Sequence, residues 1–425
     1  MAHPESLRKI DQEHLLALYD ITQMINSSLD FDQVLQNVMD AVMQVMRAQR
    51  GFLMVLNEAT GSLEVKVARS PEGENLAPDE AYSTTVVNHV LDSRQTLLTN
   101  NAQMDPQFKM ASSVMLNKLR AILCAPMLLK DRLIGMVYVD TTIKARIFDE
   151  SDVHLISAVA SQAAIAIENA RLYLMAVEKG RLERELQMAR EMQMSLLPRT
   201  MPKLPGYEIA VWWRSAREMA GDFYDGFLIN PRTMGLVIAD VSDKGAAAAL
   251  CMASTRSMIR TCAVSDYTPV EVLRRTNDLL VEDVASGMFV TAYYSVFNDA
   301  GHSIHVNAGH NPPLLFRRRT GQIEWMSRGG RALGWFIDNP VHETRMQLEP
   351  GDVMVYYTDG VVETESPHGQ EFGDRRLADV VVRSIDGSAE EIIRSVEGAL
   401  DRHSDGRYDD GLHDDLTLCV VRFDP

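Results

Sequence analysis

From Glu150 to Leu197 the chain has no proline and one glycine, Gly180, and its apolar residues recur at helical spacing. The stretch predicts a single helix of unusual length, capped at its start by Asp149 or Ser151 and stopped by Pro198, Pro202 and Pro205. No one core can absorb such a helix, so it divides the 425 residues into a domain before it and a domain after it. Counting sevens from Ile165 gives Leu172, Lys179, Leu186 and Gln193, and a second register gives Glu168, Met175, Leu182, Ala189 and Leu196. With Glu and Arg on its flanks, this stripe is read as a parallel coiled coil in a homodimer; the alternative is docking onto the next domain. The polar Lys179 and Gln193 weaken the seam, which suits a switch.

Charge and cysteine usage narrow the possible roles. Lys and Arg number 42 against 59 Asp and Glu, for a net charge of −17, which argues against a binder of nucleic acid or of an anionic membrane. The basic run Arg317-Arg318-Arg319 is read as the solvated tip of a hairpin. Cys124, Cys251, Cys262 and Cys419 lie among apolar neighbours without CxxC spacing, as buried thiols of a reducing compartment do. The first residues lack an apolar signal region and no 18-residue apolar window occurs, so a cytoplasmic protein is expected.

Residues 1–29 predict an amphipathic leading helix with Leu15, Leu18, Ile21 and Ile25 on one face, serving either the core or a dimer contact. A helix from Phe31 to Met46, a hairpin of RGFLMVLN and LEVKVA around Gly61, and a second hairpin of AILCAPMLL and LIGMVYVD then predict an α+β domain over 30–170. RGFLMVLN, the RAILCAPMLLKDRLIGMVYVD block with Pro126 and Gly135, and the tail QAAIAIENARLY together resemble a GAF domain. The resemblance implies an antiparallel sheet with helices, and a pocket that takes a cyclic nucleotide, a tetrapyrrole or a small metabolite, or else binds nothing and serves dimerisation. No residue stands out as the anchor of such a ligand, and His89 in VVNHVL is read as a packed or surface histidine.

Residues 171–200 form the helical linker. Over 201–425 short alternating strands surround two consecutive helices, predicting antiparallel sheets with helices outside. Four places set an aspartate against the end of an apolar strand: Asp222 in AGDFYDG, Asp240 in GLVIADVSDKG, Asp359 in VYYTDGVV, and Asp414-Asp415 in HDDLTLCVV. One such aspartate caps a helix or closes a turn. Four facing one end of a core repel one another unless cations neutralise them, and oxygen donors without His or Cys favour Mg²⁺ or Mn²⁺ over zinc. Ser242 or Asp243 is read as a cap of the helix that follows Lys244, a structural role ahead of a catalytic one.

REMQMSLLP, SAREMAGDFYD, IADVSDKGAAAALCMA, MFVTAYY, VNAGHNPPLL, LGW, LEPGDVMVYYTDGVVETE, EFGDRRL and DDLTLCVVRF, in that order, resemble the sporulation and stress-response branch of the PPM metal-dependent Ser/Thr protein phosphatases. The resemblance implies two antiparallel sheets packed face to face between helical layers. It further implies a two-metal centre with Asp222, Asp240, Asp359 and Asp414 as ligands, the Val241 carbonyl as a further oxygen donor, and Asp415 as a less favoured one. Arg217 stands where the wider family carries a phosphate-binding arginine. Two cations lower the pKa of a shared water and neutralise phosphoryl oxygens, so no protein nucleophile is needed. Two departures from the branch's glycines stand out: Ala220, which threatens strain in the turn before Asp222 if φ there is positive, and Asp243, a carboxylate beside the site that either holds an extra cation or caps the helix.

The sequence therefore leads to a phosphatase for phosphoserine or phosphothreonine on a regulatory protein, by resemblance of the anti-anti-sigma type, controlled by the GAF domain through the helix. The rival is a phosphatase-like scaffold or ligand-sensing regulator without turnover. His310, in NAGHNPPLL, is read as a turn residue ahead of a general acid.

Overall fold

Strand alternation sets the layering in both halves of the molecule. The computed structural model describes residues 19–70, 74–76, 82–100, 121–141, 147–216, 219–265, 267–283, 287–406 and 414–425. It divides into two units, Met1–Leu182 and Glu183–Pro425.

In the first unit, helix α1 (Phe31–Met46) is capped by Asp30, whose carboxylate accepts the Gln33 amide, and it ends at Arg47 in a left-handed conformation. Strands β1 (Arg50–Leu56) and β2 (Leu63–Arg69), helix α2 (Thr84–Ser93), and strands β3 (Leu97–Thr99), β4 (Ala121–Leu129) and β5 (Arg132–Thr141) follow. They make one antiparallel sheet ordered β2-β1-β5-β4-β3, the architecture expected of the N-terminal domain. Odd positions of β4 (Ala121, Leu123, Ala125) face α1, and even ones (Ile122, Cys124) face α2, so both faces are covered and the strand is apolar throughout. Pro126 lies beyond the stretch of β4 that pairs with β3, where its missing N–H costs no ladder bond. Gly135 is required by packing: a Cβ there would stand 2.1 Å from the Met54 carbonyl oxygen.

Residues 19–25 are helical, and Ile21 and Ile25 pack into the core under α1, which decides the leading helix in favour of core packing at that end; Leu15 and Leu18 lie outside the described residues. His89 is exposed on α2. The long helix α3 spans Glu150–Leu196. Asp149 is its cap rather than Ser151, exchanging amide bonds with Asp152 at 3.0 and 3.1 Å. The buried face of α3 in this unit runs from Ile156 to Ala170, and beyond it Leu172, Met175 and Leu182 are exposed.

The second unit carries the rest of the chain. Strands β6 (Tyr207–Arg214), β7 (Phe223–Asn230) and β8 (Thr233–Val241) precede helices α4 (Ala246–Ala263) and α5 (Pro269–Asp283). Then come β9 (Val290–Asn298), β10 (His302–Ala308), β11 (Leu314–Arg317), β12 (Gln322–Trp325), β13 (Glu343–Gln347) and β14 (Val353–Tyr357). The chain closes with α6 (Asp359–Glu363), α7 (Gly373–Ser384), α8 (Ala389–His403) and β15 (Leu416–Phe423).

Two five-stranded antiparallel sheets result, ordered β13-β10-β9-β8-β7 and β12-β11-β14-β15-β6. Met234, Leu236 and Ile238 of β8 meet Met354, Tyr356, Cys419 and Val421 of the other sheet in a shared core. The alternate residues of β8, Val237, Ala239 and Val241, turn outward onto α4 and α5, while Leu416, Leu418 and Val420 of β15 turn onto α7 and α8. The predicted four-layer arrangement is what the chain adopts. Arg318 and Arg319 are exposed at the β11–β12 turn and pair with Asp386 and Glu349, as a solvated tip should, whereas Arg317 ends β11 half-buried against the buried Asp352. Cys124, Cys251 and Cys419 are buried free thiols, and Cys262 is half-buried.

Candidate metal centre

The sandwich brings four strand termini to one end. Asp222 directly precedes β7, and Asp240 is the penultimate residue of β8, which pairs with β7 from Phe223 opposite Ala239. In the other sheet Asp359 opens α6 two residues after the end of β14, and Asp414 lies two residues before the start of β15, with Tyr357 opposite Leu418. Each sheet thus contributes two carboxylates. Two glycines permit the closeness: a Cβ on Gly221 would lie 2.9 Å from the Val241 carbonyl oxygen, and one on Gly360 would lie 2.1 Å from that of Asp415.

Electrostatics confirm that these groups sense one another. Burial, followed by the charges of Asp240 and Asp415, holds the Asp222 carboxyl well above the usual carboxylate range, against the pull of hydrogen bonds from Thr358 and Thr417. Those hydroxyls donate to Asp222 Oδ2 at 2.6 and 2.7 Å. Burial and then the charge of Asp359 push Asp240 up, and burial and then Asp414 push Asp359 up. Glu363 is raised as well, by burial and then Asp359. Such mutual destabilisation is what bound cations relieve, and the all-oxygen donor set fits hard divalent ions.

The side chains are not gathered as a finished cage. Among the described residues no three acidic, histidine or cysteine side chains surround a common point at ligand spacing. Asp414 Oδ1 lies 3.0 Å from Lys244 Nζ and accepts the Asp415 amide. Asp415 uses both oxygens on backbone: Oδ1 accepts from Ala216 N at 2.8 Å, and Oδ2 from Gly221 N at 2.7 Å and Asp222 N at 3.4 Å. It fastens the loop that carries Asp222. Arg217 lies outside the described residues.

The two departures from the glycine pattern fare differently. Ala220 has no positive φ, so the turn before Asp222 needs no glycine, whereas Asp243 adopts φ +79°. Strain sits at Asp243. The capping expected of Ser242 and Asp243 is not found: Ser242 Oγ accepts the Phe289 amide, Asp243 Oδ1 accepts the Lys244 amide, and Gly245 is the N-cap of α4 without a side-chain bond. His310 is a buried turn residue, its amide bonded to Asn307 Oδ1 and its Nδ1 2.9 Å from Thr291 Oγ1. Burial pushes its pKa down to about 4, the wrong direction for a proton donor.

Sequence reasoning overlooked Thr358, Thr417, Lys244 and Gln193. The first two had a signal, a threonine one residue before the aspartate in YYTDG and two residues after the aspartate pair in DDLTL. Gln193 had a misleading one. Placed in the coiled-coil register by counting sevens, it is instead buried against the loop that precedes Asp222: Nε2 donates to Ala220 O at 2.7 Å, and Oε1 accepts from Ala220 N at 3.1 Å.

Comparison with known proteins matches this anatomy. Residues 28–168 match the family model "GAF domain" and residues 230–424 the model "Stage II sporulation protein E (SpoIIE)". Phosphoserine phosphatase RsbU of Bacillus subtilis is 28% identical over 243 residues, covering 57% of this chain and 70% of its own. Protein IcfG of Synechocystis is 28% identical over 273 residues, 58% of this chain but 42% of its own, so the chain spans under half the length of that relative. The SiaA-PP2C domain of Pseudomonas aeruginosa shares the fold, with 20% identity and a TM-score of 0.51, over 59% of this chain and all of that one. The chain therefore joins a GAF domain, through one long helix, to a domain of the stage II sporulation protein E family with the PP2C phosphatase fold.

Proposed function

We propose that the C-terminal unit is a Mg²⁺- or Mn²⁺-dependent phosphatase for phosphoserine or phosphothreonine on a regulatory protein, governed by the GAF domain through α3. The observation that carries this reading is the set of Asp222, Asp240, Asp359 and Asp414, delivered by both sheets to one end, with burial and neighbouring carboxylates raising the first three in pKa. These four, with the Val241 carbonyl, are the ligands we assign, and Asp415 is the residue that fixes their loop. Two ions held there would supply the acidity that readies water for attack and the charge that offsets the phosphoryl oxygens. Thr358 and Thr417 orient the Asp222 carboxylate, and Asp415 and Trp213 Nε1 hold its backbone. A cysteine nucleophile is disfavoured, because burial pushes the thiols of Cys124, Cys251 and Cys419 up.

The relative named a phosphoserine phosphatase supports the substrate class, and the sequence resemblance supports a small anti-anti-sigma-type phosphoprotein. The exposed apolar residues of α3, Leu172, Met175 and Leu182, support a homodimer through that helix. No helix among the described residues is long and apolar enough to cross a membrane, and a cytoplasmic setting fits the reduced cysteines. The ion pair of Lys244 with Asp414 favours the second reading, a regulator without turnover, because it occupies a ligand carboxylate.

A metal-titrated assay on p-nitrophenyl phosphate and on phosphoproteins of the same cell decides. The wild type is expected to turn over only with Mg²⁺ or Mn²⁺, and Asp359→Ala to lose about 100-fold or more in kcat. A metal-independent rate, or an Asp359→Ala rate equal to wild type, removes the reading.

A further inference from the structure

Gln193 stands out from the helix that carries it. Between Arg181 and Leu196 nearly every side chain of α3 is exposed or half-exposed, yet Gln193 retains only 4% of its accessible surface. Both ends of its amide are spent on one residue, as donor to the Ala220 carbonyl at 2.7 Å and as acceptor of the Ala220 amide at 3.1 Å. This is the two-point pairing of a strand ladder, made by a side chain. Ala220 is fully buried beneath it, two residues before Asp222.

Other holds on this loop come from within the sandwich. Asp415 takes the amides of Ala216, Gly221 and Asp222, and the Trp213 indole donates to the Asp222 carbonyl at 3.1 Å. Gln193 alone among these reaches the loop from the helix. Removing its amide leaves a buried N–H and a buried C=O at Ala220 without their partner, and such groups either find water or move the backbone.

We infer that Gln193 is a positioning residue for the metal centre: it sets the backbone that presents Asp222, and it gives the last turns of α3 a direct hold on that ligand. This rests on the metal-dependent phosphatase reading and names where its regulation enters. A shift of α3 at Gln193 is passed directly to the Ala220 backbone.

The test uses the full-length protein and two substitutions. Gln193→Met keeps length and volume but loses both bonds, and Gln193→Glu keeps the acceptor and loses the donor. Hydrogen exchange of the metal-free protein is read over a peptide containing residues 219–223, and Mn²⁺ binding is followed by calorimetry. Faster exchange in that peptide for Gln193→Met, with the remaining peptides unchanged, is expected. So is a 10- to 100-fold weaker Mn²⁺ affinity, roughly the range for losing an outer-shell partner, with Gln193→Glu between it and wild type. On p-nitrophenyl phosphate kcat should fall while KM holds. Unchanged exchange over 219–223 overturns the inference, whether or not the protein takes up metal. Faster exchange with wild-type Mn²⁺ affinity also overturns it, since the loop would then move without consequence for the ligand. Should Gln193→Met fail to fold, Gln193→Glu gives the same readings. Absence of Mn²⁺ binding by the wild type would instead remove the phosphatase reading.

Discussion

Two single residues carry costs that can be measured. Asp243 sits at φ +79°, a conformation glycine adopts freely and aspartate tolerates better than alanine. Asp243→Ala should lose about 1 kcal/mol in urea unfolding, while Asp243→Gly should equal or slightly exceed wild type. His305 lies between the two sheets, bonded to Ser295 Oγ and Ser303 Oγ at 2.9 Å each, with Tyr356 Oη on Ser295 at 3.0 Å. Burial pushes its pKa down to about 3. A folded pKa below the unfolded value of about 6.5 gives stability that is complete above pH 6.5 and is lost as pH falls toward 3. Between pH 7 and pH 4.5 the loss from His305 should be about 2–3 kcal/mol, and His305→Gln should flatten the pH profile of urea midpoints by that much. The placement of the four aspartates at one end of the sandwich was legible, because each stands at the end of an apolar strand. Asp415 was harder to read: adjacent to a proposed ligand and of the same type, it is distinguished only by amides some two hundred positions earlier in the chain, which no local pattern displays.

At the scale of elements, hairpins and helices followed directly from period-2 and period-3.6 patterning, and β4–β5, β7–β8, α1, α4 and α5 all occupy their expected stretches. The long helix was legible in extent and misleading in facing. Counting sevens assigns Leu172, Met175, Leu182 and Gln193 to one shared stripe, but the first three are exposed and Gln193 is buried against Ala220. A heptad count reports which residues share a side of a helix, not which neighbour that side meets, and the neighbour here is 27 residues away in sequence. If the exposed stripe joins two copies, Leu172→Ser with Leu182→Ser should convert a dimer to a monomer in native mass measurement. Unfolding of either unit should be nearly unchanged, since neither side chain belongs to a core. A dimer that survives both changes would place the contact elsewhere.

For the whole molecule, removing residues 1–190 takes away the GAF domain and most of α3 but spares Gln193. Phosphatase turnover is expected to change by several-fold, measured against the full chain at saturating Mn²⁺, while the Mn²⁺ affinity stays within a few-fold; equal turnover would detach the sensor from the enzyme. The short stretch after the helix sets a limit on such cuts. Leu197 packs with Phe223 and Phe227 under α4, and Leu204 packs between the two sheets beside Met234 and Phe423. The two leucines act like rivets through separate layers. A gene fragment opened at the border of the family match, residue 230, would omit both, along with β6 and nearly all of β7, and should yield insoluble material, whereas one opened ahead of Gln193 retains every part that the sandwich needs to close.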